Sequence, residues 1–175
     1  MELPKMFKGE RLYLREMNKG DATLKYCSWL SDAEVTKYLA TKGSTIEDLQ
    51  SYILEKNKRE DVSLFGIFMN DDDNHIGTIK LEFKDSNKVI DIAMMIGDKN
   101  YWGKGLIQEA MKLLIDYCFN VLGNKTISLG VVRQNKSAVK AYKKVGFSVV
   151  EIIENYVKYP NGTFDQVFME LKNNN

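Results

Sequence analysis

The stretch from Asp91 to Phe147 constrains the fold of this chain more than any other. It opens with an apolar run, Ile92-Ala93-Met94-Met95-Ile96, which predicts a strand buried on both faces. A tight loop follows, Tyr101-Trp102-Gly103-Lys104-Gly105. Then Leu106, Ile107, Ala110, Leu113, Leu114 and Tyr117 recur at three- and four-residue steps, the pattern of an amphipathic helix. Glycines without Cβ atoms let the backbone turn sharply and let an anion approach its N–H groups. The first turn of a helix leaves further N–H groups unpaired, and its dipole favours negative charge. Strand, glycine loop and helix start together predict a seat for a phosphate or diphosphate.

Two common phosphate loops do not fit. A P-loop needs four residues between its glycines and Ser or Thr after the Lys, but five separate Gly97 from Gly103, and Gly105 follows Lys104. A dinucleotide fingerprint needs Gly or Ala three positions after Gly105, where Gln108 stands. Asn100-x-x-Gly103-x-Gly105 resembles instead the Gln/Arg-x-x-Gly-x-Gly/Ala loop with which GNAT N-acetyltransferases hold the diphosphate of acetyl-CoA. Downstream, Asn135-Lys-Ser137-Ala-Val-Lys-Ala-Tyr142-Lys-Lys144-Val-Gly146-Phe147 is similar to that family's second motif, Asn-x-x-Ser-x-x-x-Tyr-x-Lys-x-Gly-Phe. In the N-terminal half, Leu12-Tyr-Leu-Arg15 and Trp29-Leu-Ser-Asp32-x-Glu34-Val-Thr-Lys-Tyr38-Leu resemble one branch of the family. That branch includes ribosomal-protein N-terminal, spermidine and amino-sugar acetyltransferases.

Bulk properties narrow the alternatives. The 175 residues suit one domain, expected over 1–175. Twenty-five Lys and Arg against 24 Asp and Glu leave a formal charge of +1, which argues against a broad nucleic-acid footprint. Cys27 and Cys118 have no metal-ligand spacing and read as buried apolar residues, and His75 is the one histidine, so no metal site is expected. No run reaches membrane-spanning length and the N-terminus lacks a signal peptide's apolar core. A cytoplasmic protein without a membrane partner is therefore expected.

Along the chain, Arg11 to Arg15 predicts a first strand, Gly20-Asp21 a helix start, and Ser31-Asp32 the cap of a short helix from Ala33 to Leu39. Ser44-Thr-Ile-Glu47 has capping-box spacing, and Leu49, Tyr52, Ile53 and Lys56 form the stripe of the helix it starts. Strands are expected from Val62 to Met69, Ile76 to Phe83, Lys88 to Ile96, Lys125 to Val132, Phe147 to Ile153 and around Val167 to Leu171. Turns are expected at Asn70 to Asn74, Asp85 to Asn87 and Pro160 to Gly162, with a frayed tail from Asn173. The order β-α-α-α-β-β-β-α-β-α-β-β predicts a three-layer α/β fold around one mixed sheet. The resemblance sharpens this to a GNAT-like, mostly antiparallel sheet with splayed central strands and helices on both faces.

The resemblance also assigns roles. It places the acetyl-CoA diphosphate on backbone N–H groups of Trp102, Gly103, Lys104, Gly105, Leu106 and Ile107, and the pantetheine arm on Met95 and Ile96. The amide near Met95 would polarise the thioester carbonyl. Lys104 is either an added charge or a solvated loop lysine, and Trp102 either packs under the loop or touches the ligand. Asn135 and Ser137 are either pantetheine contacts or plain helix caps. Tyr142 matches the family's general acid, while from periodicity alone it shares a core-facing side with Ala138 and Val145. The base is open between Asp91 and Glu82, both of which also read as strand-end charges.

Three readings follow. The leading one is an acetyl-CoA-dependent N-acetyltransferase acting by direct transfer, since no cysteine lies within either motif. Its acceptor is a small-molecule amine (an amino sugar, possibly nucleotide-linked, or a polyamine), with a protein N-terminal amine as the alternative. Asp71 to Asp73 is a candidate acidic cluster for a polycation. The second reading is a non-catalytic coenzyme-A sensor, and the third, a nucleic-acid-binding domain, conflicts with the +1 charge. The resemblance leaves a homodimer open, since relatives are often dimers, while the sequence itself does not fix the oligomeric state.

Overall fold

The computed structural model describes residues 3–84, 89–159 and 161–173. One sheet runs through them. Its strands are β1 (Met6–Lys8), β2 (Leu12–Glu16), β3 (Val62–Met69), β4 (His75–Lys84), β5 (Val89–Ile96), β6 (Thr126–Val132), β7 (Ser148–Tyr159) and β8 (Gly162–Lys172), in the spatial order β1-β2-β3-β4-β5-β6-β8-β7. Every pairing is antiparallel except β5 with β6. Helices α1 (Leu24–Ser31) and α2 (Ile46–Asn57) cover one face around Trp29, Leu49 and Ile53. Helix α3 (Leu106–Asn120) covers the other, and α4 (Lys136–Val145) packs partly buried side chains against the same cluster. The stripe read for α3 is its buried face, with Leu106, Ala110 and Leu114 at 3%, 0% and 0% exposure. Burial of each leucine contributes about 2 kcal/mol.

The pairing of β5 with β6 is the feature that makes a site. It lasts only from Val89↔Thr126 to Asp91↔Ser128. Beyond that point β5 continues beside β4 to Gly77↔Ile96, while β6 continues beside β8. The two strands part, leaving a wedge in the middle of the sheet. The strand expected to be buried on both faces is therefore half open: Ile90 and Ile92 are buried, but Ala93 is exposed and residues 94–96 are only partly covered. An apolar run signals burial without saying whether a neighbouring strand or an open channel lies beside it.

Other boundaries move for local reasons. Strand β1 escaped the sequence reading because only Phe7 of its three residues is buried. Lys19–Asp21 is a 3-10 turn capped by Asn18, and α1 begins after Thr23, whose side chain accepts from Tyr26 N. The short helix after Asp32 is a 3-10 turn at Val35–Tyr38. The capping box of α2 is one residue later than read, Thr45 with Asp48, because Asp serves the reciprocal bond as Glu does. Strand β7 outruns its expected end by carrying two register irregularities, with Asn155 at φ 54° beside the second. The turn expected from Asp85 to Asn87, Pro160 and the end of the tail lie outside the described residues. No helix among the described residues is long and apolar enough to cross a membrane.

Candidate active site

A cavity of about 620 Å³ opens at the wedge. It takes side chains from both faces of β5: Met95 packs towards α1 and α2, while Met94 and Ile96 pack towards α3. Its other walls are Trp102, Gly103, Gly105, Leu106 and Ile107 from the glycine loop and α3, and Asn135, Ser137 and Tyr142 from the second motif. Two motifs far apart in sequence thus meet across one channel. Lys104 does not line it: its Nζ lies 5.3 Å from the Tyr101 ring centroid. Asn100, where the family pattern has Gln or Arg, does not line it either.

The loop is built to leave donors free. Gly103 and Gly105 have φ of +73° and +76°, a region costly to side chains, and a Cβ on Gly103 would meet nothing within 4 Å. Gly105 caps α3 with no side-chain hydrogen bond. The Trp102 N–H, expected among the donors, is committed to the Lys99 carbonyl at 3.1 Å. Among the described residues, no backbone N–H from Gly103 through Gln108 donates a hydrogen bond of ordinary geometry, and the first in the helix to do so is Glu109, to the Gly105 carbonyl. Such a run at a helix N-terminus fits an anionic diphosphate. Trp102 anchors the loop, its Nε1 donating to the Ile96 carbonyl at 2.8 Å, and stays 40% exposed beside the channel.

In α4, Asn135 is the N-cap: its Oδ1 accepts from Ala138 N at 3.3 Å and from Ser137 Oγ at 3.0 Å. The capping role is real, and it also fixes the amide at the channel wall, leaving Nδ2 without an acceptor among the described residues. Gly146, at φ +111°, ends the helix and lets Phe147 N return to the Tyr142 carbonyl at 3.1 Å. Tyr142 lines the channel while packing near Phe147, and burial pushes its pKa up to about 12. Core packing and a place in the channel wall are two aspects of one placement.

Neither candidate base reaches that channel. Asp91 and Glu82 are cross-strand partners on β5 and β4. Asp91 is four residues before Met95, about 13 Å along a strand. It lines a second cavity of about 450 Å³ and accepts from Ser128 Oγ and Lys84 Nζ, each at 3.2 Å. Glu82 bonds to Lys80 at 3.1 Å and Arg59 at 3.4 Å; the Lys80 bond leads the causes holding its carboxyl below the usual range, which weakens it as a base. The Asp71 to Asp73 cluster lines neither cavity: Asp72 caps its own turn and Asp73 holds the Tyr13 hydroxyl.

The sequence reading missed several wall residues. Lys140 and Lys144, one turn apart on α4, stand at the channel with Lys37 and bring positive charge to it; the four-residue spacing was the available signal. Glu34, Tyr38 and Leu39 line it too. The Tyr38 hydroxyl donates to the Gln134 carbonyl at 3.3 Å, closing the channel's side, and no local pattern announces that long-range contact.

Comparison with known proteins agrees with this geometry. The family model described as Acetyltransferase (GNAT) domain matches residues 11–148. An uncharacterized N-acetyltransferase, p20, from Bacillus licheniformis is 32% identical over 167 residues, covering 93% of each chain. The crystal structure of spermidine N-acetyltransferase from Vibrio cholerae, in complex with CoA and spermine, superposes with a TM-score of 0.82 at 19% identity, covering 93% of this chain and 96% of that one. Ribosomal-protein-S5-alanine acetyltransferase from Vibrio fischeri does so at 0.84 and 18%, covering 97% of each. At those identities the two solved structures speak for the fold, whereas the family match and the longer sequence identity reach further: the chain belongs to the GNAT acetyltransferase family and is an N-acetyltransferase.

Proposed function

We propose that the chain transfers the acetyl group of acetyl-CoA directly to a primary amine of a small molecule that carries further positive charge. The run of uncommitted N–H groups from Gly103 to Gln108, at the mouth of a channel through the sheet, carries this reading. When bound, acetyl-CoA supplies the activated thioester. The loop donors hold its diphosphate, with Lys140 and Lys144 adding charge. Asn135, fixed by Ser137, orients the pantetheine amide. Past Asp91 the β6-facing backbone of β5 is released from pairing, and its donors around Met95 and Ile96 polarise the acyl carbonyl. As the amine nitrogen bonds to the acyl carbon and the C–S bond breaks, Tyr142 gives its proton to the departing sulfur and regains one from solvent.

The amine proton leaves through water, and Asp91 is the better receiving carboxylate of the two, since Glu82 is held by two cations. Direct transfer is supported by the cysteines. Cys118 is buried with its thiol pushed up to about 12 by burial, Cys27 is half-buried on α1, and neither lines the channel or the cavity beside Asp91. The acceptor class is supported by the cavity beside Asp91, where Asp91, Glu151 and Glu170 outnumber the one lysine, Lys84. A second copy of the chain is the proposed protein partner. Strand β7 is a sheet edge exposing Val150, Ile152 and Tyr156 at 52%, 47% and 54%, and such edges are pairing templates.

The test is free-thiol release from acetyl-CoA across polyamines, amino sugars, aminoglycosides and alanine-starting peptides. The reading expects polyamines to give the highest kcat/KM. Turnover confined to peptides would replace the small molecule with a protein terminus, and binding without release to any amine would contradict catalysis on these acceptors.

A further inference from the structure

Arg11, in the turn between β1 and β2, is distant in sequence from both motifs, yet its guanidinium lies against the glycine loop. Its backbone N donates to Glu109 Oε1 at 2.8 Å and its Nε to Glu109 Oε2 at 2.7 Å. Its Nη1 donates to the Lys104 carbonyl at 2.9 Å. Its Nη2 lies 3.8 Å from the point where a Cβ on Gly105 would stand. One side chain therefore joins the first turn of α3 to the loop before it.

Two physical consequences follow. A trans peptide is planar, with its C=O and N–H pointing in opposite directions. Drawing the Lys104 carbonyl towards Arg11 turns the Gly105 N–H the other way, off the Arg11 side. The second consequence is electrostatic. Glu109 is the acidic residue in the first turn of α3, where a diphosphate would be repelled by an unpaired carboxylate. Arg11 neutralises it with charge-assisted bonds from two of its nitrogens. Resting on the acetyl-CoA reading, we propose that Arg11 is a positioning residue for the diphosphate: it sets the direction of the Gly105 donor and cancels the charge of Glu109 without itself touching substrate.

Calorimetry with coenzyme A and with pantetheine, which lacks the diphosphate, tests this on the full chain. Arg11→Met is expected to weaken coenzyme A binding roughly tenfold or more, the scale of one charge-assisted bond, and to leave pantetheine binding unchanged. Arg11→Lys, which keeps the charge and loses the fork, is expected to fall between. Arg11→Met with Glu109→Gln should recover only part of the loss, because the Lys104 carbonyl stays unheld. Glu109→Gln alone, a gentler change to the fold, should bind coenzyme A at least as tightly as wild type. Wild-type affinity in Arg11→Met, an equal loss for both ligands, or weaker binding by Glu109→Gln would overturn the proposal alone. Failure of the wild type to bind coenzyme A would overturn it together with the acetyl-CoA reading.

Discussion

Tyr142 lines the channel from α4, and burial pushes its pKa up to about 12, so the phenol keeps its proton throughout the neutral range. If it serves as the acid, Tyr142→Phe lowers kcat roughly ten- to a thousandfold while coenzyme A affinity is retained; unchanged turnover would return the ring to a packing role alone. His75 makes a different prediction. Its ring stacks on Phe68 with centroids 4.7 Å apart, its Nε2 lies 2.9 Å from the Gly77 carbonyl, and burial lowers its pKa from 6.5 to about 4. The unfolded chain takes up a proton near pH 6.5 that the native ring refuses until about pH 4. Stability is therefore present above pH 6.5 and lost as pH falls to about 4, by up to about 3 kcal/mol. Urea midpoints measured across that window should fall in the wild type and fall less in His75→Asn. Of the site residues, Asn135 and Tyr142 were legible because their spacing repeats a known pattern. Arg11 and Tyr38 were not, because what they do depends on carbonyls about a hundred positions away in the chain.

The elements around the wedge depend on glycines for two distinct reasons. Gly105 sits at φ +76° with no close neighbour, so Gly105→Ala meets backbone strain of about 1–2 kcal/mol rather than a clash. Melting should drop by several degrees and coenzyme A affinity should fall with it; a melt and an affinity both like wild type would remove the loop conformation from the account. Gly97, just past β5, is the opposite case. A Cβ there would lie 2.1 Å from Trp29 Cδ2, so the glycine lets α1 pack over the end of β5. The element types were mostly readable from periodicity. The open side of β5 was not, since an apolar strand beside a channel and one between two strands share a pattern. The capping-box shift in α2 shows the limit of spacing rules where Thr follows Ser and Asp follows Glu.

At the scale of the molecule, one eight-stranded sheet with helices on both faces is interrupted where its two parallel strands diverge. The resemblance predicted that divergence; local sequence alone could not, because strand pairing is a long-range property. The same sheet ends in β7, whose exposed valines, isoleucine and tyrosine are the proposed contact for a second copy. Sedimentation at micromolar concentration should report a dimer, and Val150→Lys with Ile152→Lys should shift it to monomer with the fold intact. A monomeric wild type would remove the second copy.

The central claim is that main-chain donors from Gly103 to Gln108 seat a diphosphate at one end of the channel. Titration calorimetry comparing acetyl-CoA with S-acetylpantetheine tests it most directly. The account predicts saturable binding of acetyl-CoA and a loss of at least roughly a hundredfold in S-acetylpantetheine, which lacks the diphosphate and the nucleotide it carries, a loss no smaller than two charge-assisted hydrogen bonds. Equal affinity for both, or no binding of acetyl-CoA at millimolar concentration, would contradict it.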